Sequence, residues 1–210
     1  SSATWGGVWI KDTSRDDATI LDNVVIQDAR VGIRIDKSSP TIRNVRVVES
    51  REYGIVADNM AYPMIQNSVI SANSNNSLAG VLVDNYSAPT LEDVRIVNNG
   101  KVGLLTRRYA YPIVRGSNPL TSHSVIAGNE VGVRIESHSA PRLGNIYNSS
   151  TEDDGVIEFS NNSLYDIYNN TTGVIKAQNN LWGTGNLLDI DKRIYDDDEN
   201  PQKGRVEFDQ

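Results

Sequence analysis

Cysteine is absent from this 210-residue chain, which therefore has neither disulfides nor thiolate metal ligands. That fits the cytosol and the extracellular space equally. Bulky core residues are scarce as well, with two Phe and two Met. At a hydrophobic fraction of 38%, a thick rounded core is not expected. No apolar run approaches the roughly 18 residues that a membrane-spanning helix needs, so membrane insertion is not expected. The first residues, SSATWGGVWI, lack the charged stretch and apolar segment of a secretory leader. Lys and Arg (20) are outnumbered by Asp and Glu (27), giving a net charge of −7. A nucleic-acid partner, which demands a basic stripe, is not expected either. The two histidines, His123 and His138, stand in unlike surroundings, which argues against a His metal site.

What the chain does contain is Val, Ile and Leu, which favour strands, set in a repeated frame. VGIRIDKSSP (31–40), YGIVADNMAYP (53–63), AGVLVDNYSAP (79–89), VGLLTRRYAYP (102–112) and VGVRIESHSAP (131–141) each open on a Gly and close on a Pro. Five of the seven prolines occupy that one slot. A fixed internal period of this size signals a repeat architecture.

The columns define the unit. Two residues after the Pro stand Ile42, Ile65, Leu91, Val114 and Leu143, all apolar. Four after it stand Asn44, Asn67, Asp93, Gly116 and Asn145, residues that tolerate left-handed backbone and so mark a tight turn. Ile33 and Ile35 alternate with Arg34, and Val45 and Val47 with Arg46, so one side of each strand is buried and the other wet. Each copy thus holds three short strands: after the Gly, after the Pro and after the turn. Three strands and two turns in 22 to 26 residues fit an all-β fold, a right-handed parallel β-helix of about seven rungs. Each strand pairs with its equivalent on the next rung, about 4.8 Å away, and no rung is stable alone. Stacked amides are expected along the turn column of Asn44 and Asn67.

The frame loosens after Pro112 and changes at the C-terminus. Residues 1–181 read as the coil and residues 182–210 as a cap over its end. Within the cap, Leu187, Ile190 and Ile194 have helical spacing, with Asn186 as N-cap, predicting one short helix over residues 187–194. The acidic run Asp196–Glu199 makes Ca²⁺ the one candidate cofactor, although such runs are commonly solvated turns.

Candidate chemistry lies beside the Pro slot. Four residues after the Gly come Asp58, Asp84, Arg107 and Glu136, preceded by Asp36. Two further on come Tyr86, Tyr109 and His138 on successive rungs, and just before the Pro come Tyr62 and Tyr111. Aromatic faces beside charged hydrogen-bonding groups suit sugar rings, with an aromatic column meeting about three units of a chain lying along the coil. The same columns could equally stabilise the coil with no ligand. Asp58 and Asp84 on adjacent rungs also match the carboxylate spacing of a retaining glycosidase, but a neighbouring Arg107 would hold them ionised.

The Gly-Ile-x-Ile, Pro-Thr-Ile and Asn-Val-x-Val units, with the tail NNLWGTGN…IDKRIYDDDENPQKGRVEF, resemble the parallel β-helix repeat proteins. This group is known for carbohydrate-binding and sugar-hydrolysis domains of surface and secreted proteins. The resemblance covers nearly the whole chain. The Asn-Thr-Asp, Asp-Asp, Gly-His-Gly and Arg-Ile-Lys set of its polygalacturonase-like members is not present here. It implies a non-catalytic module of a secreted or cell-surface protein, attached to other domains, that binds polysaccharide or cell-surface glycan or acts as a rigid spacer. A lyase or hydrolase on the outward face, and a purely structural stalk, are the alternatives.

Overall fold

The computed structural model describes residues 5–73, 78–118 and 120–209. The first strands of successive rungs form one eight-stranded parallel sheet. Its members are Val8–Lys11, Val31–Asp36, Tyr53–Asp58, Ala79–Val83, Val102–Thr106, Val131–Ile135, Tyr165–Asn169 and Ile194–Tyr195. A second sheet of five strands runs from Ile20–Asp22 to Ile113–Arg115, and a third of six from Val25–Gln27 to Ile157–Ser160. Every strand pairing is parallel and residue for residue, as in Leu91 with Ile65 and Val114. The coil of about seven rungs is therefore as the repeat predicts. Ile42, Ile65, Leu91, Val114 and Leu143 are all fully buried in one column.

The turn column behaves as expected only in part. Asn44, Asn67 and Asp93 have φ of 54°, 47° and 53°. Gly116 and Asn145 do not share that conformation; near the latter the positive φ falls on Gly144, at 146°. The amide ladder stands at a different corner, between the third strand and the next rung. There the side-chain oxygen of Asn73 accepts the Ser50 N–H (2.9 Å), Asn129 that of Asn99 (2.9 Å) and Asn162 that of Asn129 (3.1 Å). The amide nitrogens of Asn99 and Asn162 donate back to the carbonyls of Ile70 and Ile126 at 2.9 and 3.0 Å. These four asparagines are almost wholly buried, so their polar groups must be paired inside the protein.

Close stacking of the rungs, together with the ladder, explains the repeated Gly: a Cβ on Gly54, Gly103 or Gly132 would lie 2.7, 2.7 and 2.6 Å from the carbonyl oxygen of Gly80, Gly132 and Asp166 on the next rung. The same Cβ would lie 2.8, 2.8 and 2.9 Å from the amide nitrogen of Asn73, Asn129 and Asn162, closer than any real contact. Glycine is required here by close approach, not by a left-handed backbone.

The helix is shorter than its spacing predicts. It covers Leu187–Asp191, with the Asn186 side chain accepting the Leu188 N–H. Ile194 leaves it because Ile194–Tyr195 pairs with Ile167 and Tyr168 on the long sheet. The tail thus extends the coil as well as covering it. Trp182 stacks on Phe159 at 4.7 Å and meets Phe208 edge-on at 6.1 Å.

Candidate functional site

The outward side of the long sheet is built from one register column. Trp9, Arg34, Val56, Leu82, Leu105, Arg134, Tyr168 and Tyr195 are successive pairing partners. In the middle rungs the alternation of apolar and polar residues breaks down. Val56, Leu82 and Leu105 face outward yet are almost buried, forming a second apolar cluster with Val31, Ala79, Val102 and Val131.

This apolar cluster is the floor of a groove. A depression of about 480 Å³ is lined by Val102, Leu105 and Val131 below, Leu78, Lys101 and Glu130 on one side, and Arg107, Arg134 and Glu136 on the other. A smaller one of about 210 Å³ continues it past Val56, Leu82, Tyr53, Asp58, Asp84 and Arg107. A third of about 410 Å³ reaches Trp9, Arg30 and Arg34. Aromatic groups stand at both ends. Lys11 Nζ lies 4.0 Å from the centre of the Trp9 ring. At the far end Tyr168 stacks on Tyr195 at 4.3 Å, and the Arg134 guanidinium lies 5.2 Å from the Tyr168 ring centre. Burial raises the pKa of the Tyr168 and Tyr53 hydroxyls, with Arg107 opposing the shift at Tyr53.

Of the residues singled out from sequence, Asp58, Asp84, Arg107 and Glu136 are brought together along one rim of this groove. Their charges are paired. Arg34 Nη2 donates to Asp58 at 3.2 Å, and Asn85 Nδ2 donates to its other oxygen at 2.9 Å. Arg107 Nε donates to Asp84 at 2.8 Å, and Arg108 Nε to its second oxygen at 2.6 Å, where the Asn85 N–H also donates. Arg134 Nε donates to Glu136 at 2.7 Å. Asp84 is 2% exposed, and both its oxygens are occupied. Each oxygen accepts from at least one guanidinium group, so the carboxylate is held in place as the anchor of two arginines.

Tyr86, Tyr109 and His138 lie one turn further along, outside the groove. They stack as a column with ring centres 5.1 Å apart and planes within 3° and 9°. Each occupies the second of two consecutive left-handed residues, Asn85–Tyr86, Arg108–Tyr109 and Ser137–His138, with φ between 45° and 63°. A Tyr in that conformation costs free energy, and stacking across rungs offsets it. The inner faces of the column cover one another, so its outward offering to solvent is ring edges and hydroxyls. The outward apolar floor and the terminal aromatics Trp9, Tyr168 and Tyr195 escaped the reading from sequence. Their signal was the loss of alternation in YGIVAD, AGVLV and VGLLT.

Among the described residues no group of three or more His, Asp or Glu is placed to hold a metal ion. In the acidic run, burial raises the pKa of Asp196, whose oxygens accept the N–H groups of Val206 (2.6 Å) and Asp198 (3.1 Å). No helix among them is long and apolar enough to cross a membrane.

A stacked coil with an outward groove defines the parallel β-solenoid class. A family model described as right handed beta helix region matches residues 6–172, and the chain belongs to that family. No curated protein and no solved structure matches it.

Proposed function

We propose that this chain is a non-catalytic β-helix module of a secreted or cell-surface protein, joined to other domains, that holds an extended polysaccharide or cell-surface glycan. One observation carries the reading: the groove along the long sheet, with an apolar floor at Val56, Leu82 and Leu105 in its middle rungs and hydrogen-bonding groups on both sides. Sugar chains present apolar C–H faces and polar edges, and the groove has the matching distribution. Asp58, Asp84, Arg107 and Glu136 form the rim that meets hydroxyls. Tyr86, Tyr109 and His138 form the ridge beyond it, with ring edges and hydroxyls in reach of a bound chain. Paired carboxylates support binding over turnover, and the reading needs no cofactor.

The test is calorimetric titration with oligosaccharides of increasing length. From Trp9 to Tyr195 the column spans seven rung steps, about 34 Å at about 4.8 Å each. Affinity should therefore keep growing well beyond a disaccharide, and Arg107→Ala should weaken it about tenfold, as loss of a central contact does. A broad glycan panel without a single binder would leave the rigid spacer as the account of this chain.

A further inference from the structure

Two residues beyond the aromatic stack, each rung presents one more outward side chain. On three successive rungs these are Tyr62, Ala88 and Tyr111. The Ala88 N–H donates to the Ala61 carbonyl and the Tyr111 N–H to the Ser87 carbonyl, both at 3.0 Å, which fixes the three in one column. Tyr62 and Tyr111 are 52% and 41% exposed. Among the described residues neither ring has a ring partner or a side-chain hydrogen bond. Between them stands only a methyl group.

Two rung steps of about 4.8 Å separate the two tyrosines by about 9.6 Å. The neighbouring column shows what one step accommodates, since its rings sit 5.1 Å apart. Tyr62 and Tyr111 therefore flank one rung that carries no ring at this position, and their backbone separation leaves room for one ring layer between them. We infer that this gap takes one pyranose unit of a bound glycan, its two C–H faces against Tyr62 and Tyr111 and its edge over Ala88. The inference rests on the glycan reading and adds an anchoring point on the corner beside the groove. Chemistry selects the occupant. The slot is open to water on its outer side, which suits a ring with apolar faces and a hydroxylated edge better than an aromatic ring with an apolar edge.

The experiment titrates the whole chain with cellohexaose, xylohexaose and hexagalacturonate. The variants are Ala88→Tyr, which supplies the missing ring, Tyr111→Ala, which removes one wall, and Arg107→Ala in the groove. Tyr147→Ala, an exposed tyrosine elsewhere, is the control. The expected result is that at least one hexasaccharide binds, that Ala88→Tyr and Tyr111→Ala each weaken it at least tenfold, and that Tyr147→Ala leaves it unchanged. Thermal melting of Ala88→Tyr no lower than that of the natural chain separates a filled slot from a misfolded one. Tyr111→Ala reads the slot without adding bulk. Unchanged binding in both slot variants overturns the inference. If Arg107→Ala abolishes that binding, the groove reading survives it. Loss in the slot variants with full binding in Arg107→Ala keeps the slot and removes the groove. Tighter binding of free indole than of any hexasaccharide overturns the sugar as occupant, and no binding of all three oligosaccharides overturns both readings.

Discussion

The backbone N–H of Asn99 donates to the side-chain oxygen of Asn129 on the next rung at 2.9 Å, while Asn129 Nδ2 reaches back to the Ile96 carbonyl at 3.3 Å. Both asparagines are buried, at 0% and 2% exposure. Asn129→Ala would take from the buried Asn99 N–H its acceptor on the next rung, at a cost of about 1–3 kcal/mol. Urea unfolding should show a loss of about 2–3 kcal/mol. Asn67→Ala, at an exposed left-handed turn, should lose only about 1 kcal/mol. Equal losses would mean that the ladder contributes nothing beyond turn geometry.

The core makes a sharper contrast. Leu91 is fully buried between Ile65 and Val114, whereas Arg46 is exposed on the third sheet. Leu91→Ala should cost about 2–5 kcal/mol, as core truncations do, and Arg46→Ala under about 0.5 kcal/mol. Chemical denaturation of the two variants checks the register.

The fold was legible because Gly, Pro and the apolar column two after Pro recur at nearly constant spacing. The reason for the Gly was not. Its partners in the ladder, Asn73, Asn99, Asn129 and Asn162, follow Gly54, Gly80, Gly103 and Gly132 by 19, 19, 26 and 30 residues, so no constant offset exposes them. A ladder is set by stacking between rungs, while sequence offsets are set by loop lengths within them. For the same reason Asp58, Asp84, Arg107 and Glu136 could be aligned from sequence, but their pairing with Arg34, Arg108 and Arg134 could not. The groove itself depends on outward residues whose burial comes from neighbours on other rungs. Ile194 was misassigned because helical spacing is local, whereas its pairing with Ile167 is not.

The C-terminal end should be the point of attack for aggregation. Trp182 covers Phe159, and Ile194–Tyr195 pairs with the last long strand of the coil. Removing residues 182–210 would bare apolar core and open strand edges together, and such edges pair with other chains. Light scattering should rise on purification of the truncated chain. Trp182→Ala alone should lower stability by about 3–5 kcal/mol. A truncated chain that stays monomeric and melts as before would show the tail to be dispensable.

Acid sensitivity has an identifiable contributor at Glu158. The Ser160 hydroxyl and then His123 hold its carboxyl below the usual glutamate range. Ser160 Oγ donates at 2.9 Å, and His123 Nε2 lies 3.1 Å from the other oxygen. A carboxyl with a depressed folded-state pKa stabilises fully above its unfolded value, about 4.3, and that contribution is lost as pH falls through the folded value. Glu158→Gln should therefore lower stability at neutral pH and flatten the decline below about pH 5. Guanidinium melts across that range read both effects, and an unchanged slope would remove Glu158 from the account.

Asp84 separates binding from catalysis most directly. Its carboxylate, 2% exposed, holds Arg107 and Arg108 together at the rim of the groove. Asp84→Asn preserves the shape but leaves two guanidinium groups facing a neutral amide. Removing one partner from a buried pair costs about 3–5 kcal/mol. Both arginines are partly exposed, so water recovers part of that, and a loss of about 2 kcal/mol is expected. Glycan affinity should fall with it, because Arg107 loses its anchor. No new reducing ends and no unsaturated products should appear from any polysaccharide that the natural chain binds. Release of such products by the natural chain, abolished in an Asp84→Asn variant that still folds, would replace the binding module with an enzyme. In that case the pairing seen here would have to open when substrate enters, since both oxygens of Asp84 already accept hydrogen bonds from Arg107 and Arg108.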